Sequence, residues 1–480
     1  MRHDKRTPVL FALILSMALV AMDTTIVATA IPQVVDSLGG FSQIGWVFSV
    51  YMLAQTVTIP IYGKLADLYG RKPVLIFGIV VFLLGSLVSA MAWSMTILIL
   101  FRALQGLGAG SIGATVNTVA GDIYSVEERG RVQGYLSSVW GIAAVVAPAI
   151  GGLFAEYLTW HWIFLVNLPI GAIALLLIIR LLHEDVERHS HRIDYAGALL
   201  VLVSASALIL GLLQGGTTWA WDSPASIGTF LVSVGAAIGL VFVERRAAEP
   251  ILPPHLWARR LPAGSYATTL TAGMMVIGLS IYLPNWAQQV LGLKPVVAGF
   301  VLAAMSITWP VASGLSARLY MRVGFRNTAL LGTAFAISSG AVFSMLSVSS
   351  PVWQPVLGSA LMGAGMGLIV SPLLVGLQST VGWSERGTIT GGAMFARFLG
   401  QSLGAAVFGA ITNSVLRGQH GVAADIATNA ATHATFVGLL ISAVATALIL
   451  VTVVPRHFPA HAGQDDGRVR SGPEQEELHE

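Results

Sequence analysis

Apolar residues fall into fourteen long runs along the chain, near 9–31, 43–63, 73–93, 96–121, 131–156, 161–182, 195–214, 225–243, 264–288, 296–317, 327–348, 353–379, 387–413 and 432–454. A helix needs about 20 residues to cross a hydrocarbon core of about 30 Å, and each run is close to or above that length. Charged residues and Pro/Gly-rich breaks separate the runs, so the pattern predicts fourteen membrane-spanning helices. An even number returns both termini to the same side. Composition agrees: the 480 residues are 55% hydrophobic and 10% charged, with a mean hydropathy of +0.77, against about 25% charged in soluble domains. The chain reads as an all-α polytopic membrane protein. Without cysteine it has no disulfide, thiolate metal site or cysteine nucleophile. Its formal charge of +3 is too small to suggest nucleic acid as a partner.

Charge placement orients the spans, because Lys and Arg collect in cytoplasmic loops. With the N-terminus inside, all but four of the 26 Lys and Arg fall in cytoplasmic segments; Lys294 and Arg417 lie outside, and Arg102 and Arg397 fall within spans. The small residues Ala28-Thr29-Ala30 would suit a signal-peptide cleavage site, but cleavage leaves thirteen spans and spoils the alternation. The organisation predicted is a six-helix bundle over 1–182, two linker helices with flanking loops over 183–262, a second six-helix bundle over 263–456 and a disordered cytoplasmic tail over 457–480. Two six-helix halves around a midplane cavity suit a secondary transporter.

Several stretches carry a family resemblance. GKLADLYGRKPV, from Gly63 to Val74, places Gly63, Asp67, Gly70, Arg71 and Lys72 in one loop; glycines allow a tight turn, and the acid can satisfy helix N-terminal amides. It resembles the loop between the second and third helices of the major facilitator superfamily. LILFRALQGLGAG resembles that superfamily's fourth helix, with Arg102, Gly106, Gly110, Gly113 and Asn117 on one face and Gln105 beside them. WGIAAVVAPAIGG resembles its antiporter motif in the fifth helix through Gly141, Pro148, Gly151 and Gly152, with Ala147 where the motif has glycine. Asp23, Thr25 and Pro32 resemble the first helix of the fourteen-span drug:proton antiporter branch, and Trp160 to Phe164 resemble its entry to the sixth. In the second half, Gly314, Arg318, Arg322 and Arg326 echo the loop, with an arginine in place of the acid.

The resemblance implies a major facilitator fold of two six-helix bundles plus two linker helices. It implies a proton-coupled antiporter of lipophilic compounds in the cytoplasmic membrane, monomeric, with no cofactor and a proton gradient as the energy source. Gly63, Asp67, Gly70, Arg71 and Lys72 would form its conformational gate. Asp23 is the one carboxylate well inside a span, where an ionisable group is functional by default. It lies eight residues before the outer end of its run, about 12 Å, and Arg102 six residues into its own, about 9 Å, so the depths match. Asp23 and Arg102 are therefore the candidate proton-coupling pair, expected to line the central cavity. Gln105, Tyr282, Trp286, Trp309 and Arg397 are candidates for the substrate cavity, among a set of aromatic, methionine and amide residues that includes Tyr266, Met274 and Met275. A single cavity acid would favour a lipophilic cation, while the two arginines leave anions and neutral lipids open. The alternatives are an exporter of a specific endogenous lipid or metabolite and, from another class, a membrane enzyme. The latter lacks support: His183, His189 and His191 share a charged loop without zincin spacing, His161 and His420 stand apart, and no Walker sequence is present.

Overall fold

The computed structural model describes residues 6–40, 43–184, 194–216, 218–417, 424–456 and 458, which form fourteen long helices. In chain order they are α1 (Arg6–Thr29), α2 (Ile44–Tyr69), α3 (Arg71–Ala90), α4 (Met95–Ile123), α5 (Val126–Tyr157), α6 (Asn167–Leu181), α7 (Tyr195–Gln214), α8 (Pro224–Glu244), α9 (Arg260–Gln289), α10 (Pro295–Val323), α11 (Phe325–Ser344), α12 (Trp353–Ser379), α13 (Trp383–Arg417) and α14 (Ala424–Thr452). Short helices at Ile31–Leu38, Trp162–Leu165 and Pro254–Trp257 occupy connections. Among the described residues, thirteen segments are long and apolar enough to cross a membrane. The remaining helix, α11, carries Arg326, Asn327 and several Ser, Thr and Gly residues, and it packs on α12 and α14. Of the tail 457–480, only Phe458 is among the described residues; its ring centroid lies 5.1 Å from that of Phe325.

Helices and apolar runs differ in two ways. Several helices outrun the apolar stretch at the end bearing Arg71 and Arg386, called here the basic face: α2 continues to Tyr69, α5 begins at Val126, α10 ends at Val323 and α13 begins at Trp383. A helix satisfies its own backbone in water as in lipid, so hydropathy marks only the embedded part. Ser125 and Glu128 close a capping box at the start of α5, which fixes that early start. The sixth span is broken at Val166, because Pro169 has no N–H to offer the Leu165 carbonyl.

Packing repeats with an offset of eight helices. In the first half, α2 and α3 pack on α4, and α5 and α6 pack on α1; in the second, α10 and α11 pack on α12, and α13 and α14 pack on α9. The halves meet along α2–α13 and α5–α10, two contacts that exchange under the same offset. The turns match as well. Gly70 between α2 and α3 has φ 93°, and Gly324 between α10 and α11 has φ 85°, values that strain any residue with a Cβ. This pairing corrects the register expected for the second loop: with Gly324 opposite Gly70, Met321 takes the place of Asp67 and no arginine does. Helices α7 and α8 pack on each other, and α7 also touches α2 and α13. The outer side of α8 exposes Ile227, Leu231, Val234 and Ile238, a surface suited to lipid.

Both contacts between halves are tight at the basic face. A Cβ at Gly63 would lie 2.6 Å from the Gly387 carbonyl oxygen, and one at Gly387 would collide with the Gly63 carbonyl oxygen. At the other crossing, the Tyr320 hydroxyl donates to the Val126 carbonyl at 2.5 Å and accepts from the Gly130 N–H at 3.2 Å. Gly387→Ala is therefore expected to open this face. Since the chain has no cysteine, spin labels at Arg131→Cys on α5 and Met321→Cys on α10 report the separation without background. The variant should shift their distance distribution to longer values; an unchanged distribution would show that the crossing tolerates the methyl group.

Candidate functional site

Asp23 is completely enclosed. Its Oδ2 accepts from Arg102 Nη1 at 2.5 Å, and its Oδ1 accepts from Gln105 Nε2 at 2.8 Å and Asn167 Nδ2 at 3.3 Å. Both amides also donate to Ser86 Oγ, at 2.7 and 2.9 Å. Arg102 Nη1 reaches Gln105 Oε1 at 2.6 Å, Nε reaches the Val47 carbonyl at 3.4 Å, and the guanidinium carbon stands 4.1 Å from the Tyr51 ring centroid and 5.9 Å from that of Phe164. Arg102 and Gln105 meet because residues three apart share a helix face. The cluster thus draws on α1, α2, α3, α4 and α6, with Phe164 closing it from the short helix before α6. The depth-matched acid and base form a direct ion pair, but they do so inside the first half.

A second charged group joins the halves at the basic face. Asp67, nearly enclosed, accepts from the backbone N–H groups of Gly387 and Thr388 at 2.7 and 2.6 Å and from the Thr388 hydroxyl at 2.7 Å. Arg71 donates to Asp67 at 3.0 Å, to Asp122 at 2.8 Å, to the Ala66 carbonyl at 2.9 Å and to the Trp383 carbonyl at 2.5 Å, with its guanidinium carbon 3.6 Å from the Trp383 ring centroid. Asp122 is shared with Arg386 at 2.5 Å. A planar guanidinium with five donors can serve so many acceptors where an ammonium cannot. The amides satisfied by Asp67 belong to α13; those at the start of α3 are held by Glu184, whose oxygens accept from Arg71 N and Lys72 N at 2.9 Å each. Lys72 Nζ donates to the Ile179 carbonyl at the end of α6. In the second half Arg326 does the same at the end of α14, with Nε on Leu450 and Nη2 on Val451.

Between the halves lies a cavity of about 330 Å³. On its basic-face side the halves are stitched by Gln378 donating to the Asn117 carbonyl at 3.2 Å and Arg386 to the Gly121 carbonyl at 3.3 Å. Among the described residues, no hydrogen bond or ion pair joins α2 to α13 or α5 to α10 beyond the cavity, toward the opposite face. Trp309 and Arg397 line the cavity; Asp23, Arg102 and Gln105 do not. The expectation that the acid faces the cavity is thus corrected: α1 turns Thr24 and Thr25 to the cavity and Asp23 to the buried cluster. Gln105 is occupied by Asp23, and Trp286 is buried in the second half, donating to Asn429 at 2.8 Å. Tyr282 and Met275 belong to the same core. Gly141 lines the cavity and also crosses α10, since a Cβ there would lie 2.6 Å from the Ser306 carbonyl oxygen; Gly151 packs against Thr29 and Ile26, Gly152 has open space, and the Pro148 side chain lies outside the described residues. Among the described residues, no group of His, Asp and Glu could hold a metal, and His189, His191 and His420 lie outside them.

Sequence reasoning missed most of the wall: Thr24, Gln55, Gln133, Trp140, Met305 and Gln401 all contribute. A signal was available for the amides, since Gln55, Gln133 and Gln401 each stand within an apolar run.

A family model described as Major Facilitator Superfamily matches residues 13–405. The chain is 35% identical over 408 residues to "Multidrug resistance protein 3" of Bacillus subtilis, covering 85% of this chain and 80% of that one. It is 32% identical over 413 residues to "Multidrug transporter protein MdtP" of the same organism, covering 86% and 76%. In structure it is similar to the human organic anion transporter MFSD10, with a TM-score of 0.67 and 16% identity over 92% of this chain and 99% of that one, a likeness of fold.

The enclosed ion pair sets an energetic expectation. Removing one member of a buried pair costs about 3–5 kcal/mol, because the other is left without a countercharge. Arg102→Ala should therefore lower the thermal midpoint of the solubilised protein markedly, and adding Asp23→Asn should restore part of the loss. Strictly additive losses in this double-mutant cycle would show that the two groups do not interact.

Proposed function

The chain belongs to the Major Facilitator Superfamily, and from that premise we propose that it is a proton-coupled exporter of lipophilic compounds working by alternating access. The observation that carries this reading is the position of Asp23, a carboxylate enclosed in the membrane interior and next in sequence to two threonines of the central cavity. The names of the two bacterial relatives point to the same substrate class. In this reading the halves are the segments 1–182 and 263–456, with 183–262 between them. Both termini and the basic face are cytoplasmic, the membrane is the cell membrane, and one chain works alone without a cofactor. The closed face is then the inner one, and the cavity belongs to the outward state.

Coupling follows from α1. As a carboxylate, Asp23 holds Arg102, Gln105 and Asn167 and pins α1 to α4 and α6. A proton on Asp23 removes the countercharge of Arg102 and turns one acceptor into a donor, which loosens that attachment. The same helix feels a substrate through Thr24 and Thr25, so proton and substrate act on one element without sharing a site. The Asp67 and Arg71 latch must release in each cycle for the inward state to form. A more specific role, export of one endogenous lipid or metabolite, draws support from the hydroxyls and amides of the wall, such as Thr24, Gln55 and Gln133.

Reconstituted protein should expel a lipophilic dye along a pH gradient and lose that activity in Asp23→Asn. The asparagine keeps an acceptor for Arg102, so the variant should fold and bind the dye. Undiminished gradient-driven transport by Asp23→Asn would remove the coupling role, and transport of one compound from a broad panel would favour the specific role.

A further inference from the structure

Among the described residues, the charged groups in the interior of this protein are partnered, with one exception. Asp23 and Arg102 meet each other, and Asp67, Arg71, Asp122 and Arg386 form a connected set. Arg397 on α13 has no hydrogen bond or ion pair among the described residues; its Nε is buried without a partner, and its guanidinium carbon stands 5.1 Å from the Phe398 ring centroid. Its backbone is packed closely against α9, where a Cβ at Gly273 would collide with the Arg397 carbonyl oxygen.

Among the described residues, Arg397 is also the only charged side chain in the wall of the central cavity. The rest is apolar surface, including Met17, Trp140, Met305 and Trp309, with hydroxyls and amides between. No carboxylate among the described residues faces the cavity, because Asp23 is sealed away and already engaged by Arg102. A cationic guest would meet an uncompensated positive charge and find no acid. An acidic guest would meet a planar fork of N–H donors that has nothing else to bind.

We propose that the cavity is a binding site for amphipathic anions, with the acidic head on Arg397 and the apolar body against the methionines and tryptophans, and that it discriminates against cations of the same shape. This rests on the exporter reading and narrows its substrate class. Carboxylate, sulfonate and phosphate heads share the required chemistry, whether they arrive on a lipid from the bilayer or on a solute from water.

Tetraphenylborate and tetraphenylphosphonium have the same shape and opposite charge. Equilibrium binding of each to the purified full chain, without any gradient, should favour the borate, and Arg397→Gln should reduce borate affinity by about tenfold, the effect of one lost attraction between nearby opposite charges, while raising or leaving phosphonium affinity. Arg397→Lys should keep the sign of the preference. Comparing wild type with variants cancels the different partitioning of the two ions into detergent. Displacement of borate by oleate identifies a bilayer source, displacement by an aryl sulfonate identifies a solute, and either supports the site. An equal or inverted preference in the wild type, a charge preference unmoved by Arg397→Gln, or displacement by neither acid overturns it. If the protein binds anions but moves nothing under a pH gradient, the exporter reading fails and this one stands; if it expels cations and ignores borate, only this one fails.

Discussion

A charge enclosed by hydrocarbon and protein must find a countercharge, a set of hydrogen bonds or a guest, because water is not there to solvate it. That constraint organises this molecule. Asp23 and Arg102 satisfy each other within the first half, with Gln105, Asn167 and Ser86 taking up what remains. Asp67 and Arg71 satisfy each other and then reach across to α13. Arg397 stands in the cavity with no countercharge or hydrogen bond among the described residues.

The three arrangements have different mechanical meanings. The first is local: it ties α1 to the helices around it and leaves the relation of the halves untouched. The second spans the two halves, since an acid on α2 is fixed by backbone amides of α13, and it holds only while Gly63 and Gly387 stay in contact. Any motion that parts the halves at this face must break the whole set together, which makes the closed state a discrete one rather than one point on a continuum. The third is open-ended, a donor array facing a cavity.

Symmetry sharpens the contrast. The halves repeat each other in helix packing, in the positive-φ glycines at 70 and 324 and in the basic side chains that hold the ends of α6 and α14. They do not repeat in charge. Met321 stands opposite Asp67, and the α5–α10 crossing is held by a tyrosine hydroxyl where the α2–α13 crossing uses a carboxylate. The buried acid belongs to one half, and the cavity's charge belongs to the other. A repeated scaffold therefore carries two different kinds of polar group.

Much of this was written in the linear chain. Fourteen apolar runs fixed the number of helices, because hydrocarbon thickness sets a minimum length that few other structures need. The loop from Gly63 to Val74 announced its turn, and residue counting at 1.5 Å per residue placed Asp23 and Arg102 at one depth, where the structure joins them. Counting along a helix gives position along the membrane normal; it does not give direction around the axis, since lipid-facing and protein-facing surfaces are both apolar. So the sequence could not say that Asp23 turns away from the cavity while Thr24 turns toward it, or that Trp286 is buried in its own half while Trp309 faces the other. Nor could it say that the amides waiting for Asp67 lie more than 300 residues onward, at Gly387 and Thr388. Those outcomes depend on which helices pack together, and only the tertiary structure decides that, because it alone brings distant segments within reach of a hydrogen bond.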